Sequence, residues 1–303
     1  MNILVLGGNG YLGQNLISWL IDHHFNIHCV DMADNFSNDS VKRSHKFAYE
    51  KLDLSRLENI KKIKFETFDL IYILAGKTGT KSGFQDYQSF VELNELLLLN
   101  ILSVYKQRKA SARIIFPSSR LVYKGRKDTF LDEKSEKEAK SIYAANKLAC
   151  EFFLESWSNA YGIPFTVFRI CVPYGHLIPR SYSYGTLGFM ISQAKETGEI
   201  IIYGDGSQKR TFTHVADICE VLGKASCIKS TKNKIINIGS HDNFEILKLA
   251  NLISYKYNAK VVQKEWPKLD LLIESGDTMF DDSLLQSLYP YNYKKNIQEF
   301  VNL

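Results

Sequence analysis

The stretch NILVLGGNGYLGQ, residues 2–14, sets the apolar run Ile3 to Leu6 directly before Gly7, Gly10 and Gly13, three glycines at a spacing of three. Glycine serves a tight turn through its conformational freedom and a close backbone approach through its missing side chain. A strand followed by glycines that open a helix is the arrangement that seats a pyrophosphate. The free N–H groups of the first helical turn and the helix dipole both favour negative charge there. The pattern is Gly-x-x-Gly-x-x-Gly, a variant of the Gly-x-Gly-x-x-Gly fingerprint. The loop therefore reads as a dinucleotide site, with Gly7, Gly10, Tyr11, Leu12 and Gly13 as candidate contacts.

The residues beyond the loop support that reading. The amphipathic stretch GQNLISWLIDHH leads into NIHCVD, which ends on Asp31, 18 residues beyond Gly13. An acid at the end of the second strand accepts hydrogen bonds from the adenosine ribose hydroxyls and repels a 2′-phosphate. NAD is thus expected over NADP, with Lys42 and Arg43 downstream as the residues that oppose the preference. Asp53 and Leu54 follow the next short apolar run and are placed beside the adenine. Further on, FDLIYILAG, the long stretch 86–108, ARIIFPSS, the stretch 141–161 and PFTVFRI continue the alternation of strand and helix. Such alternation predicts a doubly wound parallel sheet covered by helices on both faces.

The segments 32–46 and 124–140 are polar and read as loops. After residue 171 the pattern becomes irregular, and PYGHLIPRSYSYGTLG (173–188) reads as a substrate-facing cap instead of sheet strand. KIINIG at 234–239 reads as a strand that returns to the sheet. The expected organisation is a dinucleotide-binding domain over 1–170, joined by that strand, and a mainly substrate-binding lobe over 171–303, the two intertwined.

Composition narrows the function classes. Among 303 residues, 38 Lys and Arg against 33 Asp and Glu give a net charge of +5, scattered along the chain. That suits an anionic small molecule and does not call for nucleic acid. Cysteines 29, 150, 171, 219 and 227 form no C-x-x-C pair, so buried free thiols are expected and no metal is implied. The longest apolar run, around Leu96 to Leu99, is far short of the roughly 18 residues of a membrane span. With residues 2–6 already in a strand, a cytoplasmic protein without a targeting segment or membrane partner is expected.

The chemistry rests on YAANK, which places Tyr143 and Lys147 four residues apart on one helix face. A phenol with a pKa near ~10 is a poor base at neutral pH, but a nearby ammonium and a bound nicotinamide cation favour its phenolate. That pair can take a proton from an alcohol as its hydride leaves. ARIIFPSS ends at Ser118 and Ser119 about 25 residues earlier, where a hydroxyl can hydrogen-bond the same substrate oxygen.

With these motifs in order the chain resembles the extended short-chain dehydrogenases/reductases of the nucleotide-sugar epimerase/dehydratase family. GGNGYLG is similar to that family's opening fingerprint, LAG at 74–76 to its third-strand cofactor contact, and PSSRLVYKG to its Ser-Ser-x-x-Val-Tyr-Gly stretch. SIYAANK and RTFTHVADI (210–218) match two further signatures, so the resemblance runs from residue 2 to about 240. It implies cofactor contacts at Leu74, Ala75 and Gly76. Ser119 orients the sugar oxygen, Tyr143 is the base, and Lys147 tunes Tyr143 while holding the nicotinamide ribose. Asn94, Ser118 and Arg210 are implied on the substrate side, Arg210 gripping the diphosphate, with Asp217 as a structural partner.

The departures carry information. Where the 4,6-dehydratase branch has an Asp-Glu pair after the active-site hydroxyl, this chain has Arg120 and Leu121, which argues against dehydration. Val172 stands at an expected asparagine, and 124–140 lacks the usual prolines. The expectation is an NAD-dependent epimerase acting at C4 of a nucleoside diphosphate sugar, assembled as a homodimer through the stretches 86–108 and 141–161 with Leu96, Leu97, Phe152 and Phe153. The alternative is an NAD(P)H-dependent 4-ketoreductase. A third reading is a non-catalytic NAD-binding regulator, against which the intact Ser119, Tyr143 and Lys147 stand.

Overall fold

The computed structural model describes residues 1–178 and 184–302. Fourteen strands run in chain order among them. Seven build the main sheet: β1 (Asn2–Leu6), β2 (Asn26–Asp31), β3 (Phe47–Lys51), β4 (Leu70–Ile73), β5 (Arg113–Ser119), β7 (Phe165–Ile170) and β11 (Lys234–Ile238). Their order is β11-β7-β5-β4-β1-β2-β3, and every neighbouring pair is parallel. All six apolar runs read from the sequence as strands lie in this sheet.

The apolar runs are continuous because both faces of the sheet are covered. Along β1, Ile3 and Val5 enter one core cluster while Leu4 and Leu6 enter the other. Along β7, Phe168 and Ile170 divide from Phe165 and Val167 in the same way. The first core receives the helix Tyr11–Asp22, whose Leu16, Ile17 and Leu20 are fully buried, at about 2 kcal/mol for each side chain. The second receives the helices Leu97–Gln107 and Ile142–Tyr161. Because the chain winds from β1 toward β3 and then resumes on β1's other side with β4, the crevice beyond the ends of β1 and β4 is the switch point where such sheets bind ligands.

A third core lies in a lobe built from β8 (Val172–Tyr174), β9 (Glu199–Tyr203), β10 (Lys209–His214), β12 (Asp242–Glu245) and β13 (Lys260–Lys264). The helices Gly185–Thr197 and Ile246–Tyr257 complete it. Strand β8 corrects the expectation of a strandless cap after residue 171: Val172–Tyr174 pairs in parallel with β10. Of the segment 173–188, residues 179–183 lie outside the described residues, and 185–188 open a helix. The two halves interlock. The helix Val215–Ala225 packs into the first core, and β6 (Phe130–Leu131) pairs with β14 (Met279–Phe280). Strand β6 and the short helix Asp39–Lys42 interrupt the two polar segments read as loops. The five cysteines are free, but Cys227 is exposed, a correction to the expectation that all are buried. Among the described residues no helix is long and apolar enough to cross a membrane.

Candidate active site

The switch point opens into a cavity of about 510 Å³, walled by the glycine loop, by residues 78–80 after β4, and by Ser119, Tyr143 and Lys147. The three glycines are needed for different reasons. Gly7 turns the chain at φ +84°, and a Cβ there would fall 2.3 Å from the Ala75 nitrogen. At Gly13 a Cβ would fall 2.5 Å from the Gly8 carbonyl oxygen, so the helix could not sit this close to the loop. At Gly10 the nearest atom would be 3.8 Å away. Packing does not demand that glycine, and it lines the cavity as the N-cap of a helix that has no side-chain cap. An approaching phosphate is the occupant for which that bare surface fits.

Asp31 stands at the tip of β2 beside this loop. Its carboxylate accepts the Asn9 N–H at 2.9 Å and the Ala33 N–H at 3.1 Å, which ties the glycine loop to the second strand. The Asn9 side chain holds the next loop, donating to the Asn35 carbonyl and accepting from the Ser37 N–H. Lys42 pairs with Asp39 and, like Arg43, is exposed. Leu74 and Gly76 line the cavity, while Ala75 packs on the second core. Asp53 and Leu54 are not among the residues that line the cavity. Asp53 accepts the Ser55 N–H and hydroxyl, and Leu54 is buried in the second core.

On the reacting side, Ser141 caps the helix Ile142–Tyr161 by accepting the Ala144 N–H, so Tyr143 lies in the first turn and Lys147 in the next. Lys147 donates to the Pro117 carbonyl at 2.8 Å, and its Nζ stands 5.8 Å from the centre of the Tyr143 ring. Burial dominates both groups. It raises the Tyr143 phenol well above its ordinary value, against a lowering contribution from the Ser119 hydroxyl, and it brings Lys147 down to about 8. The expected lowering of the phenol by Lys147 does not show against that burial; the ammonium is bonded to the Pro117 carbonyl and lies over the Phe116 ring. At pH 7 the lysine is still mainly an ammonium, so its charge remains on hand for a cationic cofactor to supplement.

Of the other expected substrate residues, Ser118 lines the cavity, while Asn94 and Arg210 support its wall from behind. Ser118 donates to Glu151 at 2.5 Å, and Glu151 forms a buried, two-pronged ion pair with Arg169. Arg169 continues to the Tyr123 hydroxyl, which donates to Asn237. Asn94 is buried, bonded to the Lys77 N–H and carbonyl and to Asn146. It braces the loop after β4 and does not line the cavity. Arg210 also stands off the lining, with its Nη2 shared between both oxygens of Glu274 at 3.0 and 2.8 Å. Asp217 takes the structural place expected of it, accepting from Tyr291 and from the Lys294 and Lys295 N–H groups.

The sequence reading missed Glu151, though it lies one further turn along the Tyr143–Lys147 face, and Arg169, a cation inside an apolar strand. It also missed Tyr184, whose ring stacks on Tyr11 at 4.0 Å between centroids and lines the cavity. No local pattern announces that contact.

Comparison with known proteins gives the arrangement its place. A profile of the NAD dependent epimerase/dehydratase family matches residues 3–239. The chain belongs to that family. Among its relatives is dTDP-glucose 4,6-dehydratase of Haemophilus influenzae, 28% identical, with 82% of this chain and 78% of the relative covered. Another is UDP-glucuronate 4-epimerase of Thermodesulfobacterium geofontis, 25% identical over 79% of this chain and 75% of the relative. In fold the chain is similar to the UDP-glucose 4-epimerase of Thermus thermophilus, solved in complex with NAD. That match has a TM-score of 0.86 at 19% identity and covers 100% of this chain and 97% of the other. The chain is therefore an enzyme of the nucleotide-sugar epimerase/dehydratase type. Its bare Gly10, uncapped helix start and Asp31 fit the cofactor in the family's name.

Proposed function

We propose that this protein inverts the configuration at C4 of a nucleoside diphosphate sugar. One observation carries the reading: Ser119, Tyr143 and Lys147 line the same cavity as the glycine loop, while positions 120 and 121 offer no carboxyl group to eliminate water. NAD, when bound, would supply the acceptor and donor for the C4 hydride. Gly7, Gly10 and the first turn of the helix Tyr11–Asp22 hold its pyrophosphate, and Asp31 takes the ribose hydroxyls, which favours NAD over NADP. Ser119 positions the sugar's 4-oxygen, and Tyr143 removes its proton. Lys147 keeps a positive charge near the phenolate and, once the 4-keto sugar has turned its other face to the cofactor, helps Tyr143 return the proton to the same oxygen.

The retained cofactor is what separates this reading from its rival. An epimerase restores NAD each cycle, whereas a 4-ketoreductase consumes one reduced cofactor per product. The purified protein, given no cofactor, should interconvert a C4 pair such as UDP-glucose and UDP-galactose or the matching uronates. Stoichiometric oxidation of NADH or NADPH by a 4-keto-6-deoxy sugar nucleotide, without epimerisation, would decide for the reductase. NAD binding with neither reaction would decide for a regulator. The exposed Leu96 and Phe152 support assembly as a homodimer.

A further inference from the structure

Beyond Ser119 the cavity wall holds a cation whose charge the fold leaves unbalanced. Arg120 lines the cavity and is partly buried. Its Nη1 donates to two hydroxyls from a distant segment, Ser275 at 2.8 Å and Thr278 at 3.1 Å. These bonds fix the guanidinium without neutralising it. Its Nε and Nη2 have no hydrogen-bond partner among the described residues.

The carboxylate that acts on Arg120, Glu274, is committed elsewhere. Glu274 is bound through both oxygens by Arg210, and burial, which would raise its pKa, is overcome by the charges of Arg210 and Arg120. Arg210 itself keeps a buried Nε with no partner. Two guanidinium groups thus share one carboxylate beside the reacting centre. Burial, and then the charge of Arg210, bring Arg120 down to about 10, which still leaves it cationic at neutral pH. An unbalanced cation in a concave, partly dry wall attracts an anion, and the free Nε–Nη2 edge matches the two oxygens of a carboxylate.

Resting on the C4-epimerase reading, we propose that Arg120 reads a carboxylate carried by the sugar itself, so that the preferred substrate is a nucleoside diphosphate uronate. The placement follows from the chain. Ser119 serves the oxygen on C4, and the next residue faces the substituents beside it. The C6 carboxylate of a hexuronate is two carbons from C4, within reach of a side chain rooted one residue away. A neutral hexose would leave the guanidinium desolvated and without a partner. Discrimination then comes from that unmet charge as much as from the bond the acid makes.

The test is equilibrium binding to the NAD-loaded protein of UDP, UDP-glucose and UDP-glucuronate. The wild-type protein should bind UDP-glucuronate at least about ten-fold more tightly than UDP-glucose, the ordinary return of a hydrogen-bonded charge pair. Arg120→Met should collapse that ratio to within about three-fold, and Arg120→Lys should restore part of it. The lysine variant distinguishes lost charge from a disturbed wall. A wild-type ratio near one, or a ratio that survives in Arg120→Met, would overturn the proposal. So would a loss of UDP affinity as large as the loss for UDP-glucuronate, because the arginine would then serve the diphosphate. If none of the three binds, and dTDP and GDP are equally silent, the sugar-nucleotide reading falls and this proposal with it.

Discussion

A Cβ at Gly10 would meet no protein atom nearer than the Gly7 carbonyl oxygen at 3.8 Å, whereas at Gly13 it would lie 2.5 Å from the Gly8 carbonyl. The Gly10 backbone, at φ −69°, is one that alanine adopts without strain. Gly10→Ala should therefore leave the melting temperature within about 2 °C of wild type while weakening NAD about ten-fold or more, since the methyl intrudes only on the ligand. Gly13→Ala should destabilise the fold by about 1–3 kcal/mol by overpacking the loop against the helix. Calorimetry of NAD binding beside thermal unfolding separates the two, and unimpaired NAD binding by Gly10→Ala would show that the loop holds something else. Tyr143 calls for a kinetic test at the same scale. Tyr143→Phe removes one oxygen from the cavity and should cut kcat by roughly 10² to 10⁴, with substrate affinity nearly retained. Turnover within a few-fold of wild type would remove the phenol from the mechanism.

At the scale of the element, the helix Ile142–Tyr161 shows what local sequence encodes and what it does not. Its N-cap, its length to the left-handed Gly162 and the shared face of Tyr143 and Lys147 all follow from spacing within one stretch. The glycine loop and the strand alternation are legible for the same reason. The pairings around the site were not, because the partners are remote: Arg120 meets Ser275 across 155 positions and Arg210 meets Glu274 across 64. A charge that reads as a diphosphate grip in one segment is paired in the structure with a carboxylate that only the fold brings to it. The helix Val215–Ala225 carries a second device of this kind. Its N-cap, His214, is 7% exposed and accepts the Ala216 N–H on Nδ1, so the ring must be neutral there. Burial, followed by the charges of Lys295 and His176, lowers its pKa from 6.5 to about 4. Between those values the unfolded chain binds the proton more readily than the folded one. This contribution is thus full above pH 6.5 and is lost as pH falls toward 4, amounting to up to about 3 kcal/mol. Denaturant unfolding from pH 7 to 4.5 should show His214→Asn, which keeps a capping acceptor but does not titrate, losing about 2 kcal/mol less than wild type. Parallel losses would assign the acid sensitivity to other groups.

At the scale of the whole molecule, one surface remains poorly suited to water. Val91, Leu96 and Phe152 are 41%, 47% and 56% exposed on adjoining helical segments. Leu97 and Phe153, expected on the same face, turn inward instead: Leu97 is 2% exposed and Phe153 packs on the second core. The inward pair explains how the helices hold to the sheet. The outward residues have no such task within the chain. A patch of this kind, on helices that run side by side, can bury itself against its own copy through a two-fold axis. Light scattering at micromolar protein should give twice the 34.7 kDa chain mass. Leu96→Glu with Phe152→Glu should give one chain mass with unchanged circular dichroism, because neither side chain fills the core and the added charges would oppose each other across the axis. The same variant carries a functional consequence, since Phe152 is on the helix that presents Tyr143 and Lys147. If the partner copy steadies that helix, the monomer should lose kcat by several-fold while keeping its NAD affinity. A wild-type protein of single-chain mass would rule the dimer out, and full activity in a monomeric variant would show that the site stands without it.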